Sequence, residues 1–219
     1  FYTRRNLWVL SLINNKIQIC NNTTYRLRLT IILQSIISTL VSKLARYNMG
    51  HRGNGPVAGT LYVASITAEA NVLNAINGKI SDFLFSQTSM HIKNSNIQTT
   101  SSSSFLAKKW LIDYTFVDPP FGGNLMYSEL NFLWEGWLKV FTNNGEEAII
   151  NSEQKKGLHE YQDLMESCFL EFYRLLKPGR WMTVEFHNSQ NSVWNSIQEG
   201  LLRAGFVIAD VRVLDKQQE

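Results

Sequence analysis

The chain has 219 residues, 21 lysines and arginines against 18 acidic residues, 44% hydrophobic and 12% aromatic residues, four prolines and two cysteines. This composition supports one substantial core, or a modest domain with an appendage, and excludes a collagen-like or wholly disordered chain. Cys20 and Cys168 stand far apart with no CxxC pair, which argues against a disulfide scaffold or a self-contained zinc finger and points to a reducing, cytoplasmic setting.

The chain begins with Phe1 rather than Met and reads as a fragment of a longer polypeptide. Residues 4–20 and 24–48 carry helical spacing. In the first, Leu7, Leu10 and Asn14 form one line and Val9, Ile13 and Ile17 another, and Asn21 to Thr24 offers cap residues for the second. The most apolar stretch, Leu29 to Leu44, is interrupted by Gln34, Ser35, Ser38, Thr39, Ser42 and Lys43. It falls short of the run of about 20 apolar residues that spans a bilayer, so no membrane partner is expected. Residues 50–59 (GHRGNGPVAG) form a glycine-rich loop, 60–66 a short strand and 68–85 a helix. Residues 86–104 are polar and end in TTSSSS, a linker signal. The organisational boundary falls there: a basic, mainly helical region over 1–104, then a second region over 105–219. Charge divides in a similar way. Residues 1–112 hold twelve lysines and arginines against Glu69 and Asp82, whereas 113–219 hold nine against sixteen acids. A basic first half suits a polyanionic partner.

The second region alternates. Residues 110–117 (WLIDYTFV) predict a buried strand, ended by Asp118-Pro119-Pro120-Phe121-Gly122-Gly123 because two prolines cannot continue a ladder. Helical spacing follows over 127–141 and 158–176, and Lys177-Pro178-Gly179 stops the second helix. A second strand over 181–187, a helix over 192–204 ended by Gly205, and a third strand over 206–214 complete an α/β pattern with a parallel sheet. Functional groups gather past the carboxyl ends of such strands, and Asp118 and His187 fall there.

The Asp-Pro-Pro-Phe element suits capture of an exocyclic amine. The prolines stiffen the turn, Asp118 supplies an acceptor-only carboxylate, and Phe121 a flat apolar face for a base. A carboxylate and a proline carbonyl together can accept both N–H groups of an amine and aim its lone pair at an electrophile, without a metal.

Asp118-Pro119-Pro120-Phe121 resembles the catalytic tetrapeptide of amino-directed DNA methyltransferases, which transfer methyl from S-adenosylmethionine to adenine N6 or cytosine N4. The stretches WLIDYTFVDPPFGGNLMYSELNFLWEGWL, YRLLKPGRWMTVEFHNS and VWNSIQEGLLRAGFVIADV are similar to large adenine-specific DNA methylases that often carry a zinc-ribbon and accompany restriction loci. The resemblance covers roughly residues 105–217 and favours adenine, since Asp leads the tetrapeptide. It implies a Rossmann-like sheet, of which this chain holds part, with DNA as partner. Asp118 and the Pro119 carbonyl would hold the target amine, with Pro120 completing the rigid turn, and Phe121 would stack on the flipped base. Gly122 and Gly123 would let the backbone approach the substrate, and His187 and Asn188 would line the pocket. Lys108 and Lys109, just before the strand, suit phosphate contact, as do Arg4 and Arg5.

The chain departs from that family in lacking, over 105–219, a strand ending in a cofactor-holding glycine loop and an acid at the next strand end. The loop from Gly50 to Gly59 follows a helical pattern and contains Pro56, so it does not match. The cofactor half is expected outside this chain, and no metal site is expected. Relatives of the tetrapeptide that act on RNA adenine or protein glutamine, and a non-catalytic nucleic-acid-binding or specificity module, stand as alternatives. Trp134, Trp137, Trp181 and Trp194 are expected in the core, Cys20 and Cys168 as inert helix residues, and Glu146-Glu147 and Lys155-Lys156 as solvated loop charges.

Overall fold

A computed structural model describes residues 1–47, 55–87, 101–104 and 108–213. The chain divides into two compact units: the described residues of 1–96 with 129–142, and those of 97–128 with 143–219.

The first unit is helical. Helix α1 (Arg4–Gln18) starts where the Thr3 hydroxyl oxygen accepts from the Asn6 N–H, and α2 (Thr23–Ile37) where the Asn22 side chain accepts from the Tyr25 N–H. Helix α3 (Val72–Gln87) follows Asn71, whose Oδ1 accepts from the amides of Leu73 at 2.9 Å and Asn74 at 3.1 Å. Leu10, Ile17, Leu33, Ile36, Ile37, Val41 and Val72 form its core, with Trp134 and Trp137 packed against it. Helix α2 ends at Ile37, well short of residue 48. Hydroxyl side chains there compete for helix carbonyls: Thr39 donates to Ser35 O and Ser42 to Ser38 O, and the chain continues as turns that still bury Val41, Leu44 and Ala45.

The second unit is mixed α/β. Strands β1 (Ile112–Val117) and β2 (Leu176–Val184) form a two-stranded parallel sheet, joined in sequence through α4 (Tyr127–Leu138) and α5 (Leu158–Leu175). From Glu129 onward, α4 belongs to the first unit. Tyr114, Thr115, Phe116 and Val117 pair with Trp181, Met182, Thr183 and Val184. One face, with Met182 and Val184, packs on the core that α5 and α6 (Asn191–Arg203) build from Tyr161, Met165, Phe169, Val193, Ile197 and Leu201. The other presents Tyr114, Phe116 and Trp181, all more than half exposed. No helix among the described residues is long and apolar enough to cross a membrane.

Several expectations are corrected. Residues 60–66 form no strand. Only an isolated bridge, Arg46 to Thr67, closes nearby, and Tyr62, Val63 and Ile66 lie exposed. Residues 206–213 form no strand, because alternation creates β-tendency while a strand needs a neighbour, and none of the described residues supplies one. Lys177-Pro178-Gly179 does not lie between α5 and the second strand: β2 starts at Leu176, and the register jump between Ile112 and Tyr114 marks these residues as a bulge, with Gly179 at φ +72°. Trp181 is a surface residue on the uncovered sheet face rather than a core one. Residues 50–54 of the glycine-rich loop and 88–100 of the linker lie outside the described residues.

Candidate functional site

Asp118 follows Val117 at the carboxyl end of β1, and the ladder runs one step further on the partner strand, where Glu185 N–H donates to Val117 O at 2.9 Å. Phe186, His187 and Asn188 therefore leave β2 beside the turn that Asp118 opens. Pro119 is buried, Pro120 and Phe121 are half-buried, and the Asp118 side chain is exposed.

Three successive carbonyls of the turn are tied down from three elements. The Tyr161 hydroxyl of α5 donates to Pro120 O at 2.6 Å. Asn188 Nδ2 donates to Phe121 O at 2.9 Å. Ile150 N–H donates to Gly122 O at 3.2 Å. The Asn188 side chain is itself oriented, its Oδ1 accepting from Gln190 N–H at 2.7 Å, while its carbonyl accepts from Trp194 Nε1 at 2.8 Å. Among the described residues, no hydrogen bond ends on the Asp118 carboxylate or on the Pro119 carbonyl. The turn is thus held at three acceptors, while two adjacent ones accept no bond from the described residues.

Gly122 is required for this geometry. Its φ is +71°, and a Cβ there would stand 3.3 Å from Val193 Cγ1 and 3.4 Å from both Asn188 Nδ2 and Ile150 Cδ1. At Gly123 a Cβ would meet the Ile150 carbonyl oxygen at 3.1 Å. Close backbone approach here serves packing of the turn against residues 149–151.

Phe121 enters an aromatic series rather than open solvent. Its ring stands edge to face on Phe186 at 5.3 Å, and Phe186 on Trp194 at 5.0 Å. His187 lies exposed with its ring centroid 6.4 Å from that of Phe121. Lys108 and Lys109 are exposed, and no contact among the described residues brings them to the turn.

The segment after α4 contributes groups that the sequence reading treated as solvated. Lys156 is only 9% exposed, and its ammonium donates to Asn144 O at 2.5 Å and Glu147 O at 2.6 Å. Paired backbone bonds of 2.9 Å between Asn151 and Lys156 close this loop. Burial works against the Glu147 carboxylate, but bonds from Ser128 N–H (2.9 Å) and Ser128 hydroxyl (2.6 Å), with Gln154 and the Lys156 charge, hold its pKa below the ordinary range. Burial, reinforced by the charges of Asp118 and Glu147, raises the Tyr127 phenol. Burial also pushes the Tyr161 phenol up, so it stays a donor to Pro120 O. The one sequence signal for this loop was the apolar Ala148-Ile149-Ile150 run between the charge pairs, which marks a buried crossing rather than a solvated connector.

Cys20 and Cys168 are free, and burial raises the Cys168 thiol to about 11, consistent with an inert helix residue. Among the described residues, no cluster of His, Cys, Asp or Glu could hold a metal ion. No protein-family model, curated protein or solved structure matches the chain.

Proposed function

We propose that the second unit is the target-binding half of an amino-directed DNA methyltransferase of the Rossmann-like class, holding an exocyclic amine, adenine N6, at Asp118 and Pro119. One observation carries the reading. In a turn whose next three carbonyls are each anchored, the Asp118 carboxylate and Pro119 carbonyl are adjacent acceptors that take no bond from the described residues. Two acceptors suit the two N–H donors of an amine, and the charge on Asp118 favours the positive charge that develops on the nitrogen as it is alkylated. Anchoring keeps those acceptors in place at no cost at the moment of reaction. Reaching an amine in a duplex requires the base to leave the stack, and Phe121 and His187 stand beside the turn to receive it.

The resemblance implies S-adenosylmethionine as methyl donor, held at a glycine-rich loop beyond a second strand end. The two described strand ends are the Asp-Pro-Pro-Phe turn and the segment Glu185–Asn188, and neither provides a second glycine-rich loop. No transfer step is therefore assigned to residues of this chain beyond holding and orienting the amine. The seven lysines and arginines and no acid of residues 1–47 also fit a second reading, a nucleic-acid-binding module that does not itself catalyse transfer.

Two measurements test the proposal. Duplexes with one unpaired adenine or one unpaired purine lacking the amine are titrated against the chain and its Asp118→Ala variant. Capture of the amine by a charged acceptor predicts about tenfold or greater preference for adenine, lost in the variant. Equal binding of the two duplexes by the parent chain refutes amine capture. Transfer of labelled methyl to DNA, RNA and protein offered together then separates catalysis from binding. Methyl transfer by Asp118→Ala within about threefold of the parent would refute a role for Asp118 in it.

A further inference from the structure

We propose that the outward face of α1 is a DNA-contact surface. Residues 1–47 contain seven lysines and arginines and no acid. Arg4, Trp8, Leu12 and Lys16 follow one another at four-residue intervals, so they form a stripe that drifts about 40° around the helix at each step and runs about 18 Å from end to end. Arg4 and Lys16 are exposed, Trp8 is 67% exposed and Leu12 43%. Leu10 and Ile17 occupy the opposite face and fill the core, so the outward line takes no part in folding the unit.

The helix dipole accounts for Lys16 in the last turn but not for the charges at the start of the helix. The first turn of α1 carries two arginines and no acid, an arrangement the helix dipole disfavours. Arg5, 79% exposed at its side chain, reaches Glu69 at 3.4 Å, and no ion pair among the described residues engages Arg4 or Lys16. Unneutralised cations at both ends of a line with an exposed indole between them suit a polyanion that also offers flat faces, because phosphates neutralise the cations and a base or sugar packs on the ring. A helix that lies on an anionic membrane inserts a broad continuous apolar face, whereas α1 turns Leu10 and Ile17 into the core and sets its exposed apolar residues, Leu7, Trp8 and Leu12, among Arg4, Arg5 and Lys16. Eighteen ångströms corresponds to about five base pairs of duplex rise. DNA as the polyanion rests on the reading of the Asp118 site given above.

The test uses the whole chain and a fluorescein-labelled mixed-sequence duplex, with affinity followed against salt. The parent, Arg4→Ala/Lys16→Ala, Trp8→Ala and, as control, Arg212→Ala are compared after circular dichroism shows that each is folded. The double variant is expected to lose about two phosphate contacts. Its slope of log affinity on log salt becomes shallower by about two, and affinity near 0.1 M salt falls about 10- to 100-fold. Trp8→Ala loses about tenfold with an unchanged slope, and the control behaves as the parent. Unchanged affinity and slope in the double variant overturn the inference. So does binding to phosphatidylserine vesicles without binding to DNA, or tighter binding of RNA of the same sequence. A chain that binds DNA through α1 while Asp118→Ala alters neither amine preference nor methyl transfer refutes the reading of the Asp118 site and leaves the DNA surface in place.

Discussion

Tyr161→Phe isolates the tie that holds the Asp-Pro-Pro-Phe turn. The ring is wholly buried in the core of the second unit, and Phe keeps it, so no cavity term enters. What goes is the 2.6 Å bond from the hydroxyl to Pro120 O. One backbone carbonyl loses its partner in a part-buried place. At about 1 kcal/mol net for the bond, rising where the group stays dry, the cost is about 1–3 kcal/mol. Urea unfolding followed by circular dichroism reads this as a lower midpoint with an unchanged slope. Amide hydrogen exchange locates it: the N–H groups of Phe121, Gly122 and Gly123 should exchange about tenfold or more faster, while those of α6 change little. A loss below about 0.5 kcal/mol, with exchange in the turn unchanged, would mean that water replaces the phenol and that Tyr161 does not fix the turn.

Glu147→Gln removes a carboxylate whose pKa lies below its ordinary 4.5. The folded value is the lower one, so the contribution of Glu147 is present above about pH 4.5 and is lost as pH falls through the folded value; stability–pH curves should show a flatter acid limb for the variant, and identical limbs would refute the assignment. Lys156→Met keeps the aliphatic stem but deletes both ammonium bonds, and should cost about 1–3 kcal/mol in urea unfolding; a neutral result would show the ammonium is not needed to close the loop. Gly205→Ala forces a side chain into φ +99° with its Cβ 3.1 Å from the Tyr173 ring, and should destabilise by about 1–2 kcal/mol, whereas Gly200→Ala, at 3.4 Å from Phe169 and in helical conformation, should be tolerated when both are compared by thermal melting.

Where the sequence was legible, local chemistry and packing agreed. The Asn21 to Thr24 stretch announces α2 through Asn22, and the line Tyr161, Met165, Phe169 announces the buried face of α5. The Asp-Pro-Pro turn ends β1, and Gly205 ends α6 with Phe206 N–H donating to Leu201 O at 3.0 Å. What failed depended on neighbours distant in sequence. Alternation in residues 206–213 reads as a strand, but a strand exists only when another donates to it. Trp181 fits a buried pattern along its own strand, yet the side of the sheet it occupies is uncovered. Lys155 and Lys156 are indistinguishable by type, and only the crossing of residues 148–151 beneath the turn makes one exposed and the other buried. Asp118 to Gly122 were legible as a turn, because the prolines and glycines mark it. Tyr161 and Ile150 were not, since nothing in their spacing distinguishes an anchor from an ordinary core residue.

Among the described residues the sheet of the second unit has two edges and no interior strand, and Tyr114, Phe116 and Trp181 sit on the same side of it. Backbone donors and acceptors along both edges, next to a bare aromatic surface, form a template onto which another extended chain can add. In solution the copies themselves are the nearest such chains, so self-association should grow with protein concentration and be relieved by dilution or mild urea. Trp181 is placed to report it, its emission shifting to shorter wavelength as the ring loses water.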